Sequence, residues 1–238
     1  MRGKFGVTVG AGIIVSLFGG QALAAVSCPG TTSTVASGAS VPGSFLLTGT
    51  VSSGNCVAAG DKIFGAFDVT GSITGAGSSV FTFAMPQGSS VTIGFQGSVA
   101  ANLIGGIDYQ VAVNPALAGP FLIDDLQKDF TLNSSPPGLP ATATLTGNVN
   151  PGAIGFSCFR DVNITPSATT CPQTHTFTPV PQIAVNETIT TGVNAIVTGI
   201  TDTISQTTVP EPASLALLGS ALAGFGFFGI RRRRQDSV

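Results

Sequence analysis

Apolar residues occur at every second position in many stretches of this chain. In residues 142–149, Ala, Leu, Gly and Val alternate with Thr and Asn, and residues 107–113 repeat the pattern with Ile, Tyr and Val. Successive side chains of a strand point to opposite faces, so a period of two is typical of a strand with one buried face. The pattern predicts strands at residues 45–51, 62–69, 80–85, 91–96, 107–113, 121–123, 142–149, 154–160, 175–178, 183–190 and 193–200.

Turn-forming residues separate the predicted strands. Gly, Pro, Asn and Ser stand between the alternating stretches at intervals typical of a β-sandwich. No uninterrupted amphipathic helix of about twelve residues is evident in this part of the sequence. The sequence therefore predicts an all-β fold, an antiparallel β-sandwich with one polar, Thr-lined face, as a single exported ectodomain over residues 25–208.

The chain carries few charges for its length. Only 8% of its 238 residues are charged, whereas ordinary soluble domains have about 25%. The formal net charge is −2 and the pI is near 5.1, and cations cluster at the two ends beside apolar stretches. Because the body offers no basic field to a polyanion, we expect no nucleic-acid partner.

The first residues have the organisation of a secretory signal peptide. Two cations precede an apolar stretch over residues 7–18, and a small-x-small site, Ala-Leu-Ala, ends at Ala24. This order predicts a signal peptide over residues 1–24 that is cleaved after Ala24. A lipid anchor on Cys28 fits less well, because Ala25 stands where lipoprotein signals carry a large aliphatic residue.

A transmembrane helix is predicted at the other end of the chain. Residues 213–230 contain no charge, and four arginines follow directly: Arg231, Arg232, Arg233 and Arg234. Eighteen helical residues span about 27 Å, near the thickness of a hydrocarbon core. Because such arginines stay in the cytoplasm, residues 25–208 are expected on the far side of the inner membrane.

A proline-flanked acid precedes this helix, in the sequence Val209, Pro210, Glu211 and Pro212. The prolines keep the backbone extended, since each removes a donor and disfavours helix for the residue before it. This motif, the apolar stretch and the arginine cluster together resemble the PEP-CTERM sorting signal of Gram-negative bacteria. The resemblance covers residues 209–238.

The resemblance implies a route for the chain. In that family the C-terminal signal is recognised by exosortase, a membrane cysteine transpeptidase or protease that cuts near the motif, and the substrates are associated with exopolysaccharide and biofilm production. It implies exosortase as a partner, a transient membrane contact, and delivery to the cell surface or extracellular matrix, with exopolysaccharide as a further partner. The alternative is an ordinary single-span anchor that leaves a periplasmic ectodomain on the inner membrane.

Four cysteines lie in the predicted ectodomain: Cys28, Cys56, Cys158 and Cys171. An oxidising compartment favours disulfides over free thiols, and three connectivities are open. Pairing nearest neighbours, Cys28 with Cys56 and Cys158 with Cys171, closes the smaller loops and is favoured. A zinc site would need Cys-x-x-Cys or His spacings that the sequence lacks.

Residues suited to catalysis are scarce. His175 is the single histidine; it lies on a predicted strand, and no Gly-x-Ser-x-Gly motif accompanies it, so a surface role is favoured over a catalytic triad. We therefore expect no enzymatic activity and no cofactor. The expected function is that of a structural surface or matrix protein, and a lectin-like carbohydrate-binding adhesin is the alternative.

One acidic segment offers ligands for a metal ion. Asp124, Asp125 and Asp129 could hold calcium at the end of a strand. They do not follow the Asp-x-Asp-x-Asp-Gly pattern, and Lys128 lies among them, so a polar loop without a metal is favoured.

A turn is predicted at Gly60 and Asp61. Lys62 follows this turn directly. We expect Asp61 and Lys62 to be solvated.

Overall fold

The computed structural model describes residues 26, 28–74, 80–85, 90–114, 121–151 and 153–208. The predicted signal peptide over residues 1–24 and the predicted sorting signal over residues 209–238 lie outside the described residues. Within the described part of the chain, no helix is long and apolar enough to cross a membrane.

The described chain consists mainly of strands. In chain order they are β1 (Thr32–Val35), β2 (Ala39–Pro42), β3 (Leu47–Thr48), β4 (Val51–Ser52), β5 (Cys56–Ala59), β6 (Lys62–Gly71), β7 (Ile73–Thr74), β8 (Val80–Ala84), β9 (Val91–Gln96), β10 (Ser98–Val99), β11 (Ile104–Val113), β12 (Phe121–Ser134), β13 (Ala141–Asn150), β14 (Ile154–Val162), β15 (Gln173–Val180), β16 (Gln182–Thr191) and β17 (Ala195–Thr208). One short helix, α1 (Gly43–Leu46), separates β2 from β3. The prediction of an all-β fold is confirmed.

Two large sheets contain most of these strands. The seven-stranded sheet has the order β1-β5-β6-β11-β16-β13-β14. The eight-stranded sheet has the order β15-β12-β17-β9-β8-β2, with β10 paired to β17 and β7 paired to β10. The paired strands of both sheets are antiparallel, except that β1 runs parallel to β5.

The two large sheets pack face to face around one apolar core. Phe64 and Phe67 of β6 contact Phe83 and Phe81 of β8, with ring centroids 5.3 and 4.9 Å apart. Tyr109 of β11 stacks on Phe67 at 5.7 Å. Each such aromatic pair contributes about 0.5–1.5 kcal/mol beyond the burial of its apolar surface. The aromatic contacts therefore connect the two sheets in a chain that has no tryptophan.

Strand alternation decides which side chains enter this core, and β-bulges adjust it. In β12 the buried side chains are Ile123 and then Leu126, Lys128, Phe130 and Leu132, so the alternation changes parity once. The change coincides with an irregularity in the pairing of β12 with β15 and β17, between Ile123 and Asp125. A bulge inserts one extra residue, and this one turns Lys128 towards the core.

Strand β12 is much longer than predicted. The predicted strand covers residues 121–123, whereas β12 extends to Ser134. The sequence pattern fails after Ile123 because the bulge shifts the period and because Lys128 occupies an inward position where an apolar residue is expected.

Residues 45–51 do not form the single strand that the pattern predicts. They contain the end of α1, then β3, a turn and β4, and β3 pairs with β4 as a hairpin. Leu46 and Leu47 are both buried, which a strand with one buried face does not allow for successive residues. Gly49 lies in the turn with φ of +71°, a left-handed conformation that glycine adopts easily.

Both favoured disulfides are present. Cys28 is bonded to Cys56 and Cys158 is bonded to Cys171, with Cα atoms 5.7 and 5.2 Å apart, so the nearest-neighbour pairing is confirmed. Cys158 lies on β14, at the edge of the seven-stranded sheet, and Cys171 lies just before β15, at the edge of the other sheet. The second bridge therefore holds the segment that crosses between the sheets.

Removing this second bridge should destabilise the fold. The bridge spans a sequence separation of 13, and the loss of loop closure predicts a decrease of about 3 kcal/mol in the free energy of unfolding. Urea unfolding of the unchanged protein and of the double variant Cys158→Ala, Cys171→Ala measures this decrease. We expect a lower unfolding midpoint for the variant. Equal midpoints would contradict a stabilising role for this bridge.

Candidate functional site

Four polar side chains contact one another in the core between the sheets. They are Tyr109, Lys128, Glu187 and Asp202, called here the buried cluster. Their exposed fractions are 3%, 0%, 2% and 2%. Charged residues are almost never fully buried unless they are paired, so this group is the strongest candidate for special chemistry in the described chain.

Each member of the buried cluster occupies an inward position of its strand. Lys128 lies between buried Leu126 and Phe130 in β12. Glu187 interrupts the apolar inner face of β16, and Asp202 interrupts that of β17. The strands therefore carry these groups into the core by the same alternation that buries their apolar neighbours.

The cluster joins the two sheets. Lys128 and Asp202 are directly opposite each other on β12 and β17 of the eight-stranded sheet, with Lys128 Nζ 2.9 Å from Asp202 Oδ1. Glu187 comes from the facing sheet, and its Oε1 contacts Lys128 Nζ. Tyr109, from that same facing sheet, donates a hydrogen bond of 2.5 Å from its hydroxyl to Asp202 Oδ2. The lysine amine is thus held between two carboxyl groups from different sheets.

Aromatic rings cover the lysine. Lys128 Nζ lies 4.8 Å from the ring centre of Phe156 and 5.9 Å from that of Tyr109. Gly147 is the cross-strand partner of both Phe156 and Glu187, and a Cβ atom at this position would collide with the Phe156 ring. The missing side chain at Gly147 therefore lets Phe156 lie over the amine.

Burial changes the proton affinities of the cluster. It lowers the pKa of Lys128 from 10.5 to about 8, against the opposing attraction of Asp202. Burial, and next the negative charge of Asp202, raises the pKa of Tyr109 well above its ordinary value of 10.0. The arrangement can therefore present an amine, a carboxyl group in contact with it and a second carboxylate that can accept its proton.

Lys62 is a second buried lysine, and the prediction that it is solvated is wrong. Its exposed fraction is 0%, and its Nζ lies 2.9 Å from Asp61 Oδ1 and 3.3 Å from Gln206 Oε1. Gln206 also donates a hydrogen bond to Asp61. The side chain of Asp61 is 25% exposed, so this pair, unlike the buried cluster, reaches solvent.

The three aspartates considered as calcium ligands lie along one strand, β12. Asp129 is bound by Arg160, whose Nη2 is 2.6 Å from Oδ1 and 2.8 Å from Oδ2. Asp124 and Asp125 lie at the bulge, five and four residues before Asp129. No group of three or more His, Cys, Asp or Glu side chains in the described ranges is arranged to hold a metal ion.

His175 lies on β15, so the prediction that it belongs to a strand is confirmed. Its Nε2 is 3.0 Å from Gln173 Oε1, and its ring centre is 5.8 Å from that of Phe156. Burial lowers the pKa of its imidazole, and the positive charge of Lys128 lowers it further. His175 therefore lies at the margin of the aromatic cover and not among the members of the buried cluster.

The residue pattern alone did not identify the buried cluster. In the sequence, Lys128 stands among aspartates, and this position does not indicate that its side chain is buried. The sequence does contain a signal for two of its members. Glu187 and Asp202 each have an apolar residue two positions before and two positions after them, so each acid lies at an inward position of its strand. That pattern marks a charge that alternation will bury.

Tyr109 provides a direct test of this geometry, because it is the single tyrosine of a chain without tryptophan. Its raised pKa predicts that Tyr109 stays protonated above pH 10.0 in the folded protein. The contribution of the neutral hydroxyl to the free energy of unfolding is therefore lost as the pH rises from the unfolded-state pKa towards the folded-state pKa. Tyrosinate absorbance against pH measures it, with the protein in concentrated urea as the reference. A folded protein that titrates together with the urea reference would contradict the buried position.

Comparison with known proteins finds a match for one segment of the chain. No curated protein shows significant similarity to the chain. The family model for the PEP-CTERM protein-sorting motif matches residues 208–234, a range that contains the predicted motif residues 209–212 and the arginines 231–234. Apart from Thr208, the last residue of β17, the matched residues lie outside the described part of the structure. The resemblance noted from the sequence is confirmed: the chain carries a PEP-CTERM protein-sorting motif, which is associated with exosortase processing and implies export and membrane-associated sorting in Gram-negative bacteria.

Proposed function

We propose that this protein is a non-enzymatic component of the cell surface or extracellular matrix, released from its C-terminal signal by exosortase cleavage near residues 209–212. The match of residues 208–234 to the PEP-CTERM protein-sorting motif carries the proposal. Glu211 is the distinctive charge of the motif, and the arginine cluster is expected to keep the end of the apolar stretch in the cytoplasm. Sorting and cleavage are therefore assigned to the tail, and the matrix role to residues 25–208.

The disulfides support an exported body. All four cysteines of the chain are paired, as Cys28–Cys56 and Cys158–Cys171. Disulfides persist outside the cytoplasm, where reducing systems do not break them. A body stabilised in this way is suited to the compartment into which a signal peptide would deliver it.

The placement of the titratable groups supports a role without catalysis. The residues with the most perturbed proton affinities, Tyr109 and Lys128, are enclosed between the sheets, where a soluble substrate has no access. A surface depression near the beginning of β14 is lined by side chains that carry no acid or base: Pro151, Ile154, Phe177, Thr178 and Val180. An enzyme requires its acid or base within hydrogen-bonding reach of the substrate.

The outer face of the seven-stranded sheet supports exopolysaccharide as the matrix partner. Cross-strand pairs of β13 and β16 place Thr144 beside Thr190 and Thr146 beside Thr188. These side chains alternate with the buried ones and point away from the core. The neutral hydroxyl groups of these threonines can exchange hydrogen bonds with sugar hydroxyls.

Changes in the tail should block sorting. We expect Glu211→Ala, and separately the replacement of the four arginines by Gln, to leave the full-length precursor at the inner membrane, because the first removes the recognised charge and the second removes the topological anchor. Intact mass and cell fractionation in a host that carries the cognate exosortase measure the result.

Asp236→Asn is the matched control for these changes. It also removes one charge from the tail, but it lies outside the matched residues 208–234, so its processing should be normal. Unaltered mass and location in both test variants would overturn exosortase sorting.

The matrix role predicts dependence on the polymer. In a host unable to make its exopolysaccharide, the processed protein should move from the matrix fraction to the culture medium while its total amount and mass stay unchanged. Retention in the matrix fraction would contradict polysaccharide association. Saturable binding of the purified protein to one defined oligosaccharide would favour the lectin-like alternative.

A further inference from the structure

The contact between Lys128 and Glu187 has the components of an amide bond. The amine of Lys128 touches the carboxyl group of Glu187, with the Asp202 carboxylate 2.9 Å from the same nitrogen. We propose that Lys128 Nζ and Glu187 Cδ are joined by an intramolecular isopeptide bond that links the two sheets, and that Asp202 transfers the protons. This inference concerns the body of the protein and does not depend on the sorting function.

The reaction is a condensation that balances without a further reactant. Lys128 enters as an ammonium and Glu187 as a carboxylate. The nitrogen loses one proton and attacks Cδ, and it loses a second proton once the new C–N bond has formed. One Glu187 oxygen leaves with both protons as water. The products are a neutral secondary amide and one water molecule, so nothing is oxidised or reduced.

Asp202 is placed to move these protons. Its Oδ1 is next to Lys128 Nζ, while its Oδ2 accepts the Tyr109 hydroxyl at 2.5 Å. Asp202 takes a proton from the nitrogen, returns it to the departing oxygen, and so ends the reaction in its initial ionisation state. The hydrogen bond from Tyr109 orients the carboxylate for both transfers. The lowered pKa of Lys128, about 8, provides a fraction of neutral amine near neutral pH.

Glu187, rather than Asp202, is the carboxyl group that reacts. Apart from the contact of Oε1 with Lys128, no hydrogen bond from the described residues reaches the carboxylate oxygens of Glu187, whereas Asp202 Oδ2 accepts a hydrogen bond from Tyr109. Glu187 also approaches Lys128 from the opposite sheet, so its carboxyl group meets the end of the lysine side chain. Asp202 lies beside Lys128 on the neighbouring strand.

Burial favours the amide over the ion pair. The cluster holds one ammonium and two carboxylates, and each ion withdrawn from water loses several kcal/mol of solvation even after the protein relaxes. Condensation replaces an ammonium and a carboxylate with one neutral group. A small cavity beside Glu187 and Asp202 is lined largely by aromatic and aliphatic side chains, so bulk water is kept from the amide and hydrolysis is disfavoured.

Proteolytic mapping of the full-length protein tests the bond. Trypsin cuts after Lys and Arg, so the denatured, reduced chain without the bond yields separate peptides 63–128 and 129–160, and a third that begins at residue 161 and contains Glu187. With the bond, Lys128 resists cleavage. Residues 63–160 then remain joined to the third peptide, and the total mass is lower by one water.

We expect the linked peptide to replace the three separate peptides. Reduction before digestion is essential, because Cys158–Cys171 also joins residues 129–160 to the third peptide. Recovery of peptide 63–128 with a free lysine, at the mass of the uncondensed chain, would overturn the proposal. This measurement on the unchanged protein is decisive even if every variant fails to fold.

Variants assign the roles. Lys128→Met removes the nucleophile and should abolish both the water loss and the link to the third peptide. Lys62→Met, at the other buried lysine, should keep the link and the water loss, in a longer peptide that begins before residue 63 because trypsin no longer cuts after residue 62. Asp202→Asn keeps the size of the side chain but removes the proton acceptor, so the linked peptide should be lost while circular dichroism still shows the β fold. A linked peptide at the original level in Asp202→Asn would overturn the role assigned to Asp202.

Discussion

A lysine, two carboxyl groups and a tyrosine hydroxyl meet in the interior of this protein, and both sheets must be arranged to satisfy them. A buried ion that loses its partner destabilises a fold by roughly 3–5 kcal/mol, which is a large part of the net stability of a domain. The strands that carry Lys128, Glu187 and Asp202 can therefore pair in few other registers. A slip of one residue would turn each charge outwards and bring its polar neighbours into the core.

Two local features of the fold accommodate this interaction. The bulge of β12 changes the parity of the strand, so that Leu126, Lys128 and Phe130 face the core. Gly147 leaves room for the ring of Phe156 over the amine. Apart from the buried lysines and acids and from Thr191 and Gln206, the buried side chains are apolar or aromatic. The low polarity of this core strengthens every electrostatic contact within it.

The sorting motif and the body rely on different physics. The motif is a short linear signal, and its proline-flanked acid, apolar stretch and arginines can be identified from neighbouring residues alone. The body depends on contacts between residues far apart in the chain, with two disulfides at its margins. The matrix role proposed above requires that the body stay folded after exosortase removes the tail.

The sequence by itself determined the features that depend on neighbouring residues. Period-two alternation predicted most of the strands and the all-β class, loop length favoured the correct disulfide pairing, and the order of residues 209–234 identified the sorting motif. Alternation failed at residues 45–51, where two successive leucines are buried, and after Ile123, where a bulge shifts the period. Only the tertiary structure decided that Tyr109 meets Asp202 across 93 residues of chain and that Lys62 meets Gln206 across 144. Such contacts depend on which strands pair, in which register and facing which sheet, and the pattern within any one strand contains no information about its partner.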